Sequence, residues 1–254
     1  MVVAMKNIPT TVKFWLGGVR IYIALMTPLI TLEVWWWAAT LFGGTQLEII
    51  RTQEVYAWLS LLFLTLTLLI GPVTKLFPRM PGLPVIRDSR RALGISAAWF
   101  AALHMLITYF KQFGGINPLQ LPATYQRSML LGVIALAILI AMAATSVNAI
   151  MKKWGVWWFR LHRLVYAAVI LVLVHAFMIG AHATTTVVLV ILSVLALLWI
   201  GVNIAILIKS NEVTISRVLS ISLCIIVLAG TLTYGLDQHF QQEQSAAEAK
   251  GHNH

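Results

Sequence analysis

The sequence predicts an all-α membrane protein, a polytopic bundle of about seven transmembrane helices. Composition comes first: of 254 residues, 60% are hydrophobic and only 10% are charged. A water-wetted surface needs about a quarter of its residues charged, so this chain faces lipid. Length comes second, because apolar runs of about 20 residues recur along the chain, each long enough to cross a bilayer. Backbone chemistry comes third. Inside a bilayer every N–H and C=O must be satisfied within the protein, so such runs are helices, and no alternation of the kind seen in barrel strands recurs.

The first run, near Val19–Phe42, is too long for a cleaved leader and has no small-residue cleavage site after it. It contains Pro28, which predicts a kink. Its acid, Glu33, stands beside Trp35, Trp36 and Trp37. Glu33 has two readings: a proton-handling group if quinol is oxidised here, or a wetted structural residue at the interface. The second and third runs are near Val55–Thr74 and Ala92–Phe110, separated by a polar linker at 75–91. A second linker, 111–128, leads to a fourth run near Met129–Ile150 and a fifth near Trp157–Gly180. The sixth and seventh are near Thr186–Ile208 and Val218–Gly235, and a polar tail follows Leu236. The expected organisation is a cytoplasmic segment over 1–18, a membrane domain over 19–210, an additional helix over 211–236 and a polar tail over 237–254. The one cysteine, Cys224, lies in the seventh run. It forms no internal disulfide, and a CxxC metal site is impossible.

The net charge of +10 would suggest nucleic acid in a soluble protein. Here its placement is a topology signal. With the N-terminus inside, the cytoplasmic segments hold 14 of the 18 Lys and Arg residues, leaving outside only Arg51, Lys111, Arg127 and Lys250. Short inner loops carry such an excess in membrane proteins generally. The expectation is N-in and C-out, with membrane lipid as partner and no nucleic acid. Trp154, Trp157 and Trp158 at the inner end of the fifth run read as interfacial anchors.

Ionisable residues inside spans are functional candidates by default. Three histidines stand out: His104 in the third run, and His162 and His175 in the fifth. Neutral imidazole is a good axial ligand for haem iron. His104 lies about 13 residues into its helix and His175 about 19, against about 6 for His162, which puts His162 and His175 roughly 20 Å apart along the axis. Two haems at two depths would make a transmembrane electron path. Thirteen residues also leave the two side chains roughly 140° apart around an ideal helix. Facing one partner helix would need a π-bulge or bend between them. The alternative for each histidine is a hydrogen-bonding contact between helices.

Three stretches carry a family resemblance. Arg90-Arg91-Ala92-Leu93-Gly94 with Ala101-Ala102-Leu103-His104 resembles the third-helix signature of the ferric reductase-like transmembrane superfamily. Ala144-Thr145-Ser146-Val147-Asn148, then Trp158 to Tyr166 with its Leu-His-Arg-Leu segment, then His175, resembles the MsrQ (YedZ) branch. That branch is the haem-binding membrane subunit of a periplasmic methionine sulfoxide reductase system, with NADPH oxidases and STEAP metalloreductases as more distant members. The resemblance covers about residues 55–180 and implies a six-helix core in a bacterial inner membrane. It makes His104 and His175 ligands of an outer haem b and His162 a ligand nearer the cytoplasm.

NADPH oxidases carry a second histidine where this chain has Arg90, so the resemblance supplies no partner for His162. A water, another side chain, an arginine in unusual ligation or five-coordinate iron remain open. Arg90, Arg91 and Arg163 are candidates for haem propionates, because guanidinium pairs well with carboxylate; the alternative is that they only set topology. The seventh run and a tail with His239, His252 and His254 depart from the usual six spans, and the tail reads either as solvated or as a metal or partner site. No GxGxxG loop is present, so one or two haems would take electrons from quinol or a separate flavoreductase. FMN or quinone at the membrane surface is a further possible cofactor, and a periplasmic redox protein the acceptor.

The reading is therefore an electron-transfer subunit of an oxidoreductase system. A terminal ferric or other metal reductase at the outer face is the first alternative. A haem-free transporter or scaffold, using the histidines as polar contacts, is the second.

Overall fold

The computed structural model describes residues 10–179, together with 197 and 199–206. The chain divides into two compact units, Met1–Met178 and Ile179–His254. In the first, seven α-helices follow one another: α1 (Thr10–Phe42), α2 (Gln46–Leu76), α3 (Leu83–Ile107), α4 (Ala123–Ala144), α5 (Asn148–Trp154), α6 (Val156–Arg163) and α7 (Val165–Ile179). A π-turn, Thr108–Gln112, continues α3, and a short 3₁₀ turn, Pro118–Gln120, precedes α4. In the second unit the described residues are helical, and Asn203 donates to the Trp199 carbonyl. No strand occurs among the described residues.

Among the described residues, five segments are long and apolar enough to cross a membrane: Gly18–Phe42, Gln46–Leu76, Leu83–Gln112, Tyr125–Ala144 and Val156–Met178. They correspond to the first five expected runs. The seventh run, the tail and Cys224 lie outside the described residues, as does most of the sixth run.

The first four helices begin earlier than their apolar runs, α4 at Ala123 rather than Met129. α2 starts at Gln46 and α3 at Leu83, and α1 extends back to Thr10, because polar turns at a bilayer surface are helical without being apolar. Gly82, in the left-handed region at φ 75°, turns the chain into α3, and Pro84 occupies its first turn, where a missing N–H costs no helix bond. The linker arginines Arg87, Arg90 and Arg91 therefore sit on α3 rather than in a loop. The fourth run ends early, at Ala144 rather than Ile150. Thr145 and Ser146 bond the carbonyls of Ala141 and Met142 through their hydroxyls, a local alternative that competes with helix continuation.

The expected single fifth helix is two. Leu164 separates α6 from α7, its N–H closing a tight turn on the Leu161 carbonyl. This break lies between His162 and His175, where the angular argument requires a bend. Pro28 sits inside α1 without ending it.

Packing follows the alternation of direction. Arg20 pairs with Asp88, Thr27 Oγ1 with Ser96 Oγ at 2.7 Å, and Trp99 Nε1 donates to Thr31 Oγ1 at 3.0 Å. The sequence offset is nearly constant, so α1 and α3 run parallel and in register. α2 lies antiparallel against both: Tyr56 donates to the Thr31 carbonyl and Ser60 to that of Ala97. Two apolar clusters fill the bundle. One joins Leu64, Ala97, Ala98, Leu139, Val165 and Ala168; the other joins Val34, Tyr56 and Phe100. Ala97 and Ala168 are fully buried, because small side chains let helix backbones approach where no water drives association.

Candidate functional site

The histidines occupy two ends of the bundle. His104 is in the last turn of α3, beside the start of α2. His175, on α7, meets the start of α4 at Ser128. The imidazoles of His104 and His175 face each other, with ring centres 6.3 Å apart and planes crossed at 81°. His162, on α6, is at the opposite end with Ser146 and the arginines of α3.

Each ring is held by a main-chain carbonyl. His104 Nδ1 is 3.0 Å from the Gln53 carbonyl oxygen, and His175 Nδ1 is 2.7 Å from that of Ser128. His162 Nδ1 is 3.0 Å from the Trp158 carbonyl one turn earlier. A carbonyl only accepts, so each Nδ1 carries the proton and each Nε2 keeps its lone pair. For His104 and His175, Nε2 has no hydrogen-bond partner among the described residues. For His162 the nearest group is Ser146 Oγ at 3.4 Å. That hydroxyl gives its one hydrogen to the Met142 carbonyl at 2.7 Å, and the same carbonyl lies close to the His162 ring. Three histidines share the tautomer that metal-ligating histidines adopt when an outer partner fixes the ring.

The surroundings keep the rings in place. Gln53, buried in α2, accepts from His104 through its main chain and from the Thr108 hydroxyl through Oε1, at 2.6 Å. Thr108, four residues after His104, opens the π-turn, and such widened turns recur at functional positions in helices. Ser128, fully buried, returns its hydroxyl to the His175 carbonyl. Gly132 on α4 lies against the His175 ring: a Cβ there would stand 2.9 Å from Cε1 and Nδ1. His162 is stacked on Trp158 at 3.7 Å, and Trp158 Nε1 donates to the Thr145 carbonyl. Trp158 therefore belongs to the site, whereas Trp154 and Trp157 are exposed and keep their interfacial reading.

The candidate arginines divide. Arg91 bonds Asn148 Oδ1 and reaches Met151 Sδ at 3.4 Å. Arg90 is exposed and lies along Gly71. Both are close enough to act electrostatically on His162. Arg163 is exposed. Glu33 is exposed beside exposed Trp35 and Trp36.

Chemically, two neighbouring imidazoles with unused Nε2 atoms can hold one metal. Among the described residues no three His, Cys, Asp or Glu side chains gather at one point. A bare ion such as zinc takes three or four protein ligands. A macrocycle that brings its own four equatorial donors needs only two. Two metal–imidazole bonds of about 2 Å, with about 1.1 Å more from each nitrogen to its ring centre, put the centres about 6 Å apart. The observed separation fits.

Sequence reasoning did not single out Gln53, Ser128 or Gly132, and it read Trp158 as an interfacial anchor rather than as a neighbour of His162. Gln53 and Ser128 act through main-chain carbonyls, which any residue type carries. Gly132 inside an apolar run was the one available signal, since glycine in a membrane helix marks close approach.

The family model described as "Ferric reductase like transmembrane component" matches residues 56–173. The protein-methionine-sulfoxide reductase heme-binding subunit MsrQ of Brucella ovis is 34% identical over 160 residues. That match covers 62% of this chain and 66% of the relative, so the chain spans just under two thirds of its length. The corresponding proteins of Brucella canis and Brucella abortus match equally. No solved structure matches.

Proposed function

From a chain that belongs to the ferric reductase-like transmembrane family through residues 56–173, we infer that His104 and His175 hold a b-type haem and that the protein passes electrons across its membrane. Membrane electron transfer is the coarse activity of this haem-binding family. The observation that carries the finer reading is the neighbouring pair of imidazoles, 6.3 Å between ring centres, each with Nδ1–H on a main-chain carbonyl and Nε2 unused.

The residues have separate tasks. His104 and His175 bind through Nε2. Gln53 and Ser128 fix the tautomer and the ring angle. The apolar clusters around Phe100 and Leu139 keep water away, and burial of this kind tunes a redox potential. Bound haem supplies a one-electron iron couple. His162 would hold a second, inner haem, with Arg90 and Arg163 as partners for its propionates, while Arg91 is engaged by Asn148 and Met151. Electrons enter at the His162 end, the cytoplasmic side, from quinol or a separate flavoreductase. They leave at the His104 end to a periplasmic acceptor. The Brucella relatives are named as a reductase subunit, which supports a partner protein as that acceptor.

Full-length protein purified in mild detergent tests this. A reduced-minus-oxidised spectrum should show b-type bands, and a pyridine haemochrome assay should approach two haems per chain. Absence of any haem would leave the histidines as polar contacts between helices and sink the reading. A value fixed near one would remove only the inner site.

A further inference from the structure

A groove of about 490 Å³ runs between α1 and α3 on the lipid-facing side of the bundle. Its walls are carbon: Ile21, Ala24 and Pro28 from α1, Ile95 and Trp99 from α3. At one end stand Arg20 and Arg91. The walls cover about eight residues of each helix, or about 12 Å, and the parallel register of α1 and α3 keeps them level along that length.

The charged end is not neutral. Arg20 is paired with Asp88. Arg91 bonds only the neutral Asn148 and Met151 among the described residues. One carboxylate against two guanidiniums leaves one positive charge. The Arg20 Nε atom is buried and has no hydrogen-bond partner among the described residues, so a donor there waits for an acceptor oxygen. Both arginines belong to the end of the bundle that the charge bias puts in the cytoplasm, where anionic headgroups concentrate.

We propose that this groove binds one anionic phospholipid, its phosphodiester between Arg20 and Arg91 and an acyl chain along Ala24, Ile95 and Trp99. The head neutralises the unpaired charge and accepts from Nε, while the tail covers apolar walls that a polar ligand would leave bare. A neutral quinone would fit the walls and leave the charge uncompensated. The site lies outside the histidine centres, and half of it comes from α1, which precedes the family match at residue 56.

The test uses the full chain, stripped of lipid in detergent and offered phosphatidylglycerol or phosphatidylcholine with identical acyl chains. Native mass spectrometry should show one retained phosphatidylglycerol and no comparable phosphatidylcholine. Arg20→Gln and Arg91→Gln should each weaken retention about fivefold. Ala24→Trp, which fills the groove and keeps the charge, should abolish it. A second measurement needs no groove-filling variant. Phosphatidylglycerol with brominated acyl chains should quench tryptophan fluorescence saturably, and Trp99→Phe should lose that component. Equal retention of the two lipids, quenching unchanged by Trp99→Phe, or a ubiquinone that displaces phosphatidylglycerol at equal concentration would each overturn the proposal.

Discussion

At the scale of single residues the site is decided by which nitrogen carries a proton. Replacing His104 or His175 by Ala should remove the same haem, because either change leaves one imidazole facing nothing. His162→Ala should alter a spectroscopically distinct inner signal and leave the outer one largely intact. Haem content and low-temperature spectra of the three variants check this, and the pairing fails if His162→Ala erases the His104 signal while His175→Ala does not. Gly132→Ala is a sharper probe, because it leaves both proposed ligand side chains in place. Its new methyl would sit 2.9 Å from the His175 ring, so ring or helix must shift, at about 1–3 kcal/mol for overpacking of this kind. The expected result is lower outer-haem occupancy with the inner signal retained. The type and depth of the three histidines were legible in the sequence. Their tautomers were not, because the deciding partners are carbonyls of Gln53, Ser128 and Trp158, and a carbonyl leaves no mark in residue identity.

At the scale of elements, the breaks carry the geometry. α6 and α7 would be one helix by hydropathy, as would α4 and α5, since nothing apolar is lost at Leu164 or Thr145. What ends them is local hydrogen bonding: hydroxyls of Thr145 and Ser146 turned back on the preceding turn, and the Leu164 N–H closing on Leu161. Periodicity does not report such competition, which is why apolar cores of helices were legible and their ends were not. Trp158 ties two of these breaks together, stacking on His162 and donating to the Thr145 carbonyl. Trp158→Phe keeps an aromatic face and removes that donor. It should lower thermal stability by about 1 kcal/mol, the typical net value of one hydrogen bond, and perturb the inner signal alone. Loss of the His104–His175 signal in this variant would mean that the two ends of the bundle do not act independently.

At the scale of the whole molecule, direction of electron flow depends on which way the bundle is inserted. The parallel register of α1 with α3, and the antiparallel packing of α2 between them, put Arg20, Arg90 and Arg91 at one end and Arg51 with His104 at the other. On the excess of basic residues we propose that the His162 end is cytoplasmic. The seven crossings expected from the sequence, with the N-terminus inside, would leave the C-terminus outside. A C-terminal reporter that works only in the cytoplasm should be silent. One reporter cannot separate a wrong span count from an inverted bundle, so a second site is needed. Gly115 lies in the loop after the π-turn, exposed and at positive φ, which a cysteine tolerates poorly; its exposed neighbour Ile116 is the better position. With Cys224 replaced, Ile116→Cys should react with a membrane-impermeant maleimide added from the periplasmic side. Labelling together with a silent reporter supports entry of electrons at His162 and exit at His104. Labelling together with an active reporter keeps that direction and makes the number of crossings even. Protection of Ile116→Cys in intact cells, with full reaction after permeabilisation, would invert the bundle and with it the proposed path from the His162 end to the His104 end.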